Sequence, residues 1–114
     1  MPINSKSKGS NGERELAKIL REEYGYKVRR GQQYCGANGD ADCVGLPHIH
    51  IECKRVEKLN LYDAMSQSIS DAKEGEIPVV MHRRNHDYWK VTLKLDDFMK
   101  IYREWECGLD ETLG

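Results

Sequence analysis

Asp42-Cys43-Val44-Gly45-Leu46-Pro47-His48-Ile49-His50-Ile51-Glu52-Cys53-Lys54 is the stretch that decides the fold. Its second half alternates, with Ile49, Ile51 and Cys53 on one face and His48, His50, Glu52 and Lys54 on the other. That is the period of a half-buried strand, predicted over 48–54. Gly45-Leu46-Pro47 is a turn signal, and a shorter strand over 41–45 is predicted in front of it. A tight reversal at 45–47 brings Asp42 alongside Glu52 on one face. Glu52 and Lys54 project side by side, about 6.5–7 Å apart along the strand. Two carboxylates converging on one point make a hard-oxygen site suited to Mg²⁺ or Mn²⁺. A protonated lysine beside it does not ligate, but it can orient a water or stabilise charge on a phosphate. These are the parts that metal-assisted phosphodiester hydrolysis needs.

Working outward, Ser10-Asn11-Gly12-Glu13 has the spacing of a capping box, so a helix is predicted to start near Ser10. Leu16, Ala17, Leu20 and Tyr24 continue it at helical spacing and Gly25 stops it. Tyr26 to Arg30 alternates as a strand, and residues 31–39 form a glycine-rich loop. Beyond the deciding stretch, a helix is predicted over 60–74 from the stripe Leu61, Ala64, Met65, Ile69 and Ala72. Strands follow at 77–82 and 89–93, and then a last helix capped by Asp96 or Asp97 that carries Phe98, Ile101, Tyr102 and Trp105. The order α-β-β-β-α-β-β-α describes a mixed α/β domain with one central sheet. Tyr62, Tyr88, Trp89, Phe98 and Trp105 read mainly as core and interface anchors. The expected organisation is a flexible basic arm over 1–9, one domain over 10–106 and an acidic tail over 107–114.

A chain of 114 residues has room for one core. No apolar run reaches the roughly 18–20 residues of a membrane span. No apolar leader opens the chain, so a cytoplasmic protein with reduced cysteines is expected. The net charge is −1, but eight Lys/Arg face four Glu in residues 1–34, and ten face fifteen acids in 35–114. A basic front end on a more acidic body is compatible with DNA binding and equally with ordinary solvated charge. The cysteines at 35, 43, 53 and 107 contain no C-x-x-C pair. Cys43, His48, His50 and Cys53 are zinc-ligand types, yet alternation aims Cys53 away from both histidines, so one strand cannot bring them to one ion.

With these residues in view, Asp42 followed by Glu52-Cys53-Lys54 resembles the D…E-x-K core of the PD-(D/E)XK nuclease superfamily. More narrowly, the chain resembles the archaeal-type Holliday junction resolvases and the small phage-encoded resolvase-like nucleases. The likeness runs from Gly12-Glu13 through Gly25-Tyr26-Lys27-Val28-Arg29-Arg30, Asp42 to Pro47 and Ile51 to Arg55, and on to Ala64-Met65-Ser66-Gln67. It covers about residues 10–90. The resemblance implies a restriction-endonuclease-like α/β core, a central mixed β-sheet flanked by helices. It also implies a Mg²⁺-dependent DNA endonuclease, with Mn²⁺ as a substitute ion, acting on branched DNA such as four-way junctions. Asp42 and Glu52 would hold the metal with the backbone carbonyl of Cys53, and Glu13 would add a further acid. Lys54 would position the attacking water, and Gln67 would support the site from the second helix. A homodimer is implied, since resolving a junction takes two symmetric cuts. A phage origin would place the protein in the host cytoplasm.

One departure stands out: the first acid of the family usually follows Pro, and here Ala41 precedes Asp42. Asp40 would face the same side of an extended chain; Asp42 is favoured because it leads directly into Cys43-Val44. Glu13 reads either as the added acid or as the capping partner of Ser10. Arg29, Arg30 and Arg55 read as phosphate grips or as solubilising charge, with Arg29 and Arg30 the preferred DNA contacts. The alternatives to a junction nuclease are a related nuclease on flap, nicked or duplex DNA, and a non-catalytic DNA-binding module of the same fold.

Overall fold

The computed structural model describes the backbone of residues 5–31 and 41–113 and the side chains of 11–31 and 41–110. Helix α1 (Ser5–Glu22) is followed by β1 (Arg29–Arg30), β2 (Cys43–Val44) and β3 (Ile49–Arg55). Then come α2 (Leu61–Asp71), β4 (Ile77–Arg83), β5 (Lys90–Leu93) and α3 (Leu95–Leu113). The strands form one sheet in the order β1-β2-β3-β4-β5. β3 and β4 are parallel and every other pair is antiparallel, so the sheet is mixed. The parallel pair needs a crossover, which α2 supplies.

The alternation of β3 sorts the two layers. Ile51 and Cys53 face α1 and join Leu16, Ala17, Val28, Cys43, Val79 and Met81 in the main core. His50 and Glu52 face the other way, beneath α2, where Ala64 and Ser68 are the buried helix positions. The Ser68 hydroxyl donates to the Val79 carbonyl at 2.9 Å and fixes α2 against β4. α1 comes close to β3 because position 12 is glycine: a Cβ there would sit 2.8 Å from Cβ of Arg55. Glu15, one turn on, forms an ion pair with Arg55 at 3.2 Å and accepts from Arg83 at 2.6 Å, tying the helix to the ends of β3 and β4.

Several sequence expectations shift. α1 begins at Ser5, so Ser10 lies inside the helix and does not cap it. The flexible arm expected over 1–9 therefore overlaps helix from Ser5 on, and residues 1–4 lie outside the described residues. The strand expected from Tyr26 shrinks to Arg29–Arg30, because the Val28 amide bonds to the Tyr26 carbonyl at 2.9 Å and makes a local turn. His48 sits in the turn with φ 68° and leaves the strand face. α3 starts at Leu95, before either aspartate expected to cap it, and runs on to Leu113 through most of the expected tail. Tyr62 and Tyr88 are exposed rather than core, at 89 % and 85 %. Trp89 does pack against the core, beneath the Arg83 guanidinium. No helix among the described residues is long and apolar enough to cross a membrane.

Candidate active site

The site grows from the place where β2 gives out. Cys43 pairs with Ile51, so the next step along the register sets Asp42 opposite Glu52. The Asp42 amide still donates to the Ile51 carbonyl at 3.0 Å. Beyond it the Cys53 amide would lack a strand partner, and the Asp42 carboxylate takes that role, accepting from it at 2.7 Å. A backbone bond of this kind fixes the carboxylate at the edge of β3 instead of leaving it to wander. The reversal that delivers Asp42 depends on Gly45, whose φ is 108°.

Glu52 is 8 % exposed and lies against Asp42. Burial first, then the charge of Asp42 and a hydrogen bond to it, push the Glu52 carboxyl up to about 8, with Asp71 adding to the rise and Lys54 opposing it. A cation held between the two carboxylates would relieve the same repulsion that favours the protonated form of Glu52. Two juxtaposed carboxylates, one of them buried, are a donor set that fits a hard divalent ion. Lys54 lies with its ammonium 3.9 Å from the Glu52 carboxylate and is 40 % exposed in its side chain, so it faces solvent beside the acids.

A stability consequence follows. Folded Glu52 keeps its proton up to about 8, whereas the unfolded chain releases it near 4.5. Between those values the folded state binds more protons, so stability falls as pH rises through that window. Metal-stripped protein should therefore melt at a lower temperature at pH 8 than at pH 5, and MgCl₂ should recover the loss at pH 8. Differential scanning calorimetry with and without EDTA checks this.

The remaining sequence candidates divide. Gln67 is exposed on α2 and shares a shallow cleft with Lys54. Its amide donates to Asp71, one turn on, at 2.6 Å. Glu13 is held by Arg30, whose Nε donates to its carboxylate at 2.8 Å, and its backbone carbonyl accepts from the Cys43 thiol. That places Glu13 and Arg30 on the α1 side of the sheet, while Glu52 faces α2. Arg55 is paired with Glu15, and Arg29 is exposed and donates to the Arg30 carbonyl. Asp40 and Cys35 lie outside the described residues. Cys53 keeps its thiol protonated: a hydrogen bond with Cys43 and burial both raise it. Only its backbone can serve a hard cation.

Two residues that sequence reasoning left out stand at the site. Oxygens of Glu52 and Asp71 and a ring nitrogen of His50 lie within 4.8 Å of one another. His50 was visible as a strand-face neighbour of Glu52. Asp71 carried only a weak signal, its position four residues after Gln67 on one helix face.

A comparison with curated proteins gives no match. A family profile described as "phage putative PDDEXK endonuclease" matches residues 4–108, which takes in all five strands, α1 from Ser5, α2 and most of α3. With its mixed α/β sheet, its juxtaposed Asp42 and Glu52 carboxylates and Lys54 two residues on, the chain belongs to this family of phage PDDEXK endonucleases.

Proposed function

We propose that the protein cuts branched DNA, four-way junctions foremost, by divalent-ion-dependent hydrolysis, and that it works as a homodimer. The observation that carries the chemistry is the convergence of Asp42 and Glu52 beside Lys54. Asp42, Glu52 and the Cys53 carbonyl would hold Mg²⁺, or Mn²⁺ in its place, and the bound ion supplies Lewis acidity and an acidified water. Lys54 directs that water at phosphorus or offsets the charge gathering on the phosphate oxygens. As the water oxygen bonds to phosphorus one P–O ester bond breaks; the water gives up a proton to solvent and the departing oxygen takes one up from solvent. Gln67 supports the site through its hold on Asp71, whereas Glu13, held by Arg30 on the α1 side of the sheet, braces that strand end and is given no place at the ion. Arg29, with Arg30 and Arg55, grips flanking phosphates, each contact adding salt-sensitive affinity.

The dimer reading rests on α3. Asp97 is buried where the helix leaves the sheet, and from Phe98 to Asp110 every position is exposed. Leu95, Phe98, Tyr102, Trp105 and Leu109 repeat at spacings of three and four, the seam of a helix that pairs with a copy of itself. Their exposures run from 37 % to 76 %, a large apolar stripe for a chain alone in water. The rings of Phe98, Tyr102 and Trp105 already line up, with centroids 6.2 and 5.6 Å apart.

Cleavage of a labelled four-way junction, beside a linear duplex and a flap of matched sequence, tests both parts. Paired symmetric cuts in the junction alone are expected with Mg²⁺ and none with EDTA. Trp105→Glu should sediment as a monomer and yield unpaired nicks, with resolution slowed by about tenfold or more. Equal cutting of all three substrates would sink the junction reading. Binding unaffected by EDTA, with no cutting in Mg²⁺ or Mn²⁺, would leave a DNA-binding module.

A further inference from the structure

β3 carries one polar side chain that the hydrolysis above leaves unused. His50 precedes Glu52 by two residues on the same face and is 4 % exposed. Buried polar atoms are almost always hydrogen-bonded. Here Nδ1 is turned toward the Glu76 carboxylate at 3.8 Å, while the buried Nε2 has no hydrogen-bond partner among the described residues. An imidazole with one nitrogen facing a carboxylate and the other unpartnered has the orientation of a metal-ligating histidine, in which the outer carboxylate fixes the tautomer. What stands around the ring fits that reading: a ring nitrogen and oxygens of Glu52 and Asp71 lie within 4.8 Å of one another. Ligands about 2.0–2.2 Å from one ion lie within about 4.4 Å of each other, so a small rotation of Asp71 at the exposed end of α2 closes the set.

The trio differs from the Asp42–Glu52 pair in three ways. It contains nitrogen, and Asp42 is not a member of it. It also has its own access, because a cleft of about 280 Å³ between the β2–β3 turn and the end of α2 is lined by His50, Asp71 and Glu76. Asp71 is oriented from outside as well, by the Gln67 amide at 2.6 Å. Mg²⁺ binds through oxygen and keeps most of its waters, whereas first-row transition ions accept imidazole readily.

We propose that His50, Glu52 and Asp71 form a second cation site that takes a first-row transition ion such as Mn²⁺ in preference to Mg²⁺, with Glu52 shared between it and Asp42. On this account Mn²⁺ has a place of its own and is more than a stand-in for Mg²⁺. Gln67 is then a positioning residue for the Asp71 carboxylate. The inference rests on the reading of Glu52 as a metal-facing carboxylate and is independent of which DNA is cut.

The test uses the full chain, stripped of metal and titrated with MnCl₂, with pulsed electron paramagnetic resonance as the readout. Wild type should show a coordinated ¹⁴N from imidazole that a tenfold excess of Mg²⁺ does not remove. His50→Gln should lose that coupling, and both His50→Gln and Asp71→Asn should bind Mn²⁺ about tenfold or more weakly at this site. Asp71 is exposed, so its variant keeps the test alive should His50→Gln misfold by circular dichroism. Asp42→Asn should keep the nitrogen coupling while losing cleavage. Mn²⁺ bound without nitrogen in wild type, nitrogen coupling that survives in His50→Gln, or unchanged affinity in Asp71→Asn would overturn the site. Cleavage with Mg²⁺ but no nitrogen-bound Mn²⁺ would overturn the second site and leave the nuclease reading standing. Nitrogen-bound Mn²⁺ without cleavage of any DNA would do the reverse.

Discussion

Glu52→Gln should lower the rate of DNA cleavage by about a thousandfold or more, roughly 4 kcal/mol of transition-state stabilisation at 1.36 kcal/mol per decade. The substitution keeps the volume and planarity of the side chain and removes only its charge. Asp42 would then be the single charged carboxylate of the pair, and Lys54 would lose the acid whose oxygen lies 3.9 Å from its ammonium. The same change should help the metal-stripped fold. Wild-type Glu52 opposes its own ionisation up to about 8 because it is buried against Asp42. An amide has no charge to desolvate, so the fall in melting temperature between pH 5 and pH 8 should flatten in the variant. Opposite signs for activity and stability in one protein are the mark of a residue kept for chemistry. A variant that melts lower than wild type at pH 8 and cuts as well as wild type would identify Glu52 as an ordinary structural acid.

Gly45→Ala should cost about 3 kcal/mol or more and lower the melting temperature by about 10 °C or more. Two penalties coincide. The backbone at Gly45 has φ 108°, which side chains with a Cβ rarely adopt. A Cβ there would also run into the Lys27 carbonyl oxygen, and backbone has no rotamer with which to move aside. Either the β2–β3 reversal or the segment leading into β1 has to shift. Asp42 is placed by that reversal, so cleavage should fall along with stability. Gly75→Ala is the matched control: φ is 86°, but nothing lies within 4 Å of the added methyl. It should cost only about 1 kcal/mol from the backbone conformation alone. Equal melting temperatures for the two variants, measured in the same buffer, would refute the packing role given to Gly45.

The sequence made the heart of the site legible because β3 obeys a strict period of two and the turn before it announces itself with glycine and proline. Those two local signals were enough to set Asp42, Glu52 and Lys54 together and to leave Cys53 on the opposite face. The order of all eight elements follows from similar local patterns. What escaped the reading depends on contacts between distant segments. Asp71 reaches Glu52 only after the crossover through α2, and the apolar stripe read for that helix set Ile69 inward, whereas Ile69 is exposed and Ser68 is the buried position beside Ala64. Ser10-x-x-Glu13 has the letters of a capping box, but the helix runs on toward Ser5 and Glu13 finds Arg30 instead. The aromatic stripe of α3 shows a different limit. Amphipathic spacing identifies an apolar face without saying what covers it, so residues that read as core stand in solvent. Tyr62 and Tyr88 misled for a related reason, since an isolated aromatic carries no period to assign it a side.

The most direct test of the metal-dependent hydrolysis is the single-turnover cleavage rate of a four-way junction by metal-stripped protein as MgCl₂ is added, for wild type and Asp42→Asn. No cutting is expected in EDTA, with a saturable rise with Mg²⁺ in wild type and a rate about a hundredfold or more lower in Asp42→Asn at the same Mg²⁺. Cutting that persists in EDTA, or an Asp42→Asn variant that follows the wild-type curve, would contradict metal-dependent hydrolysis.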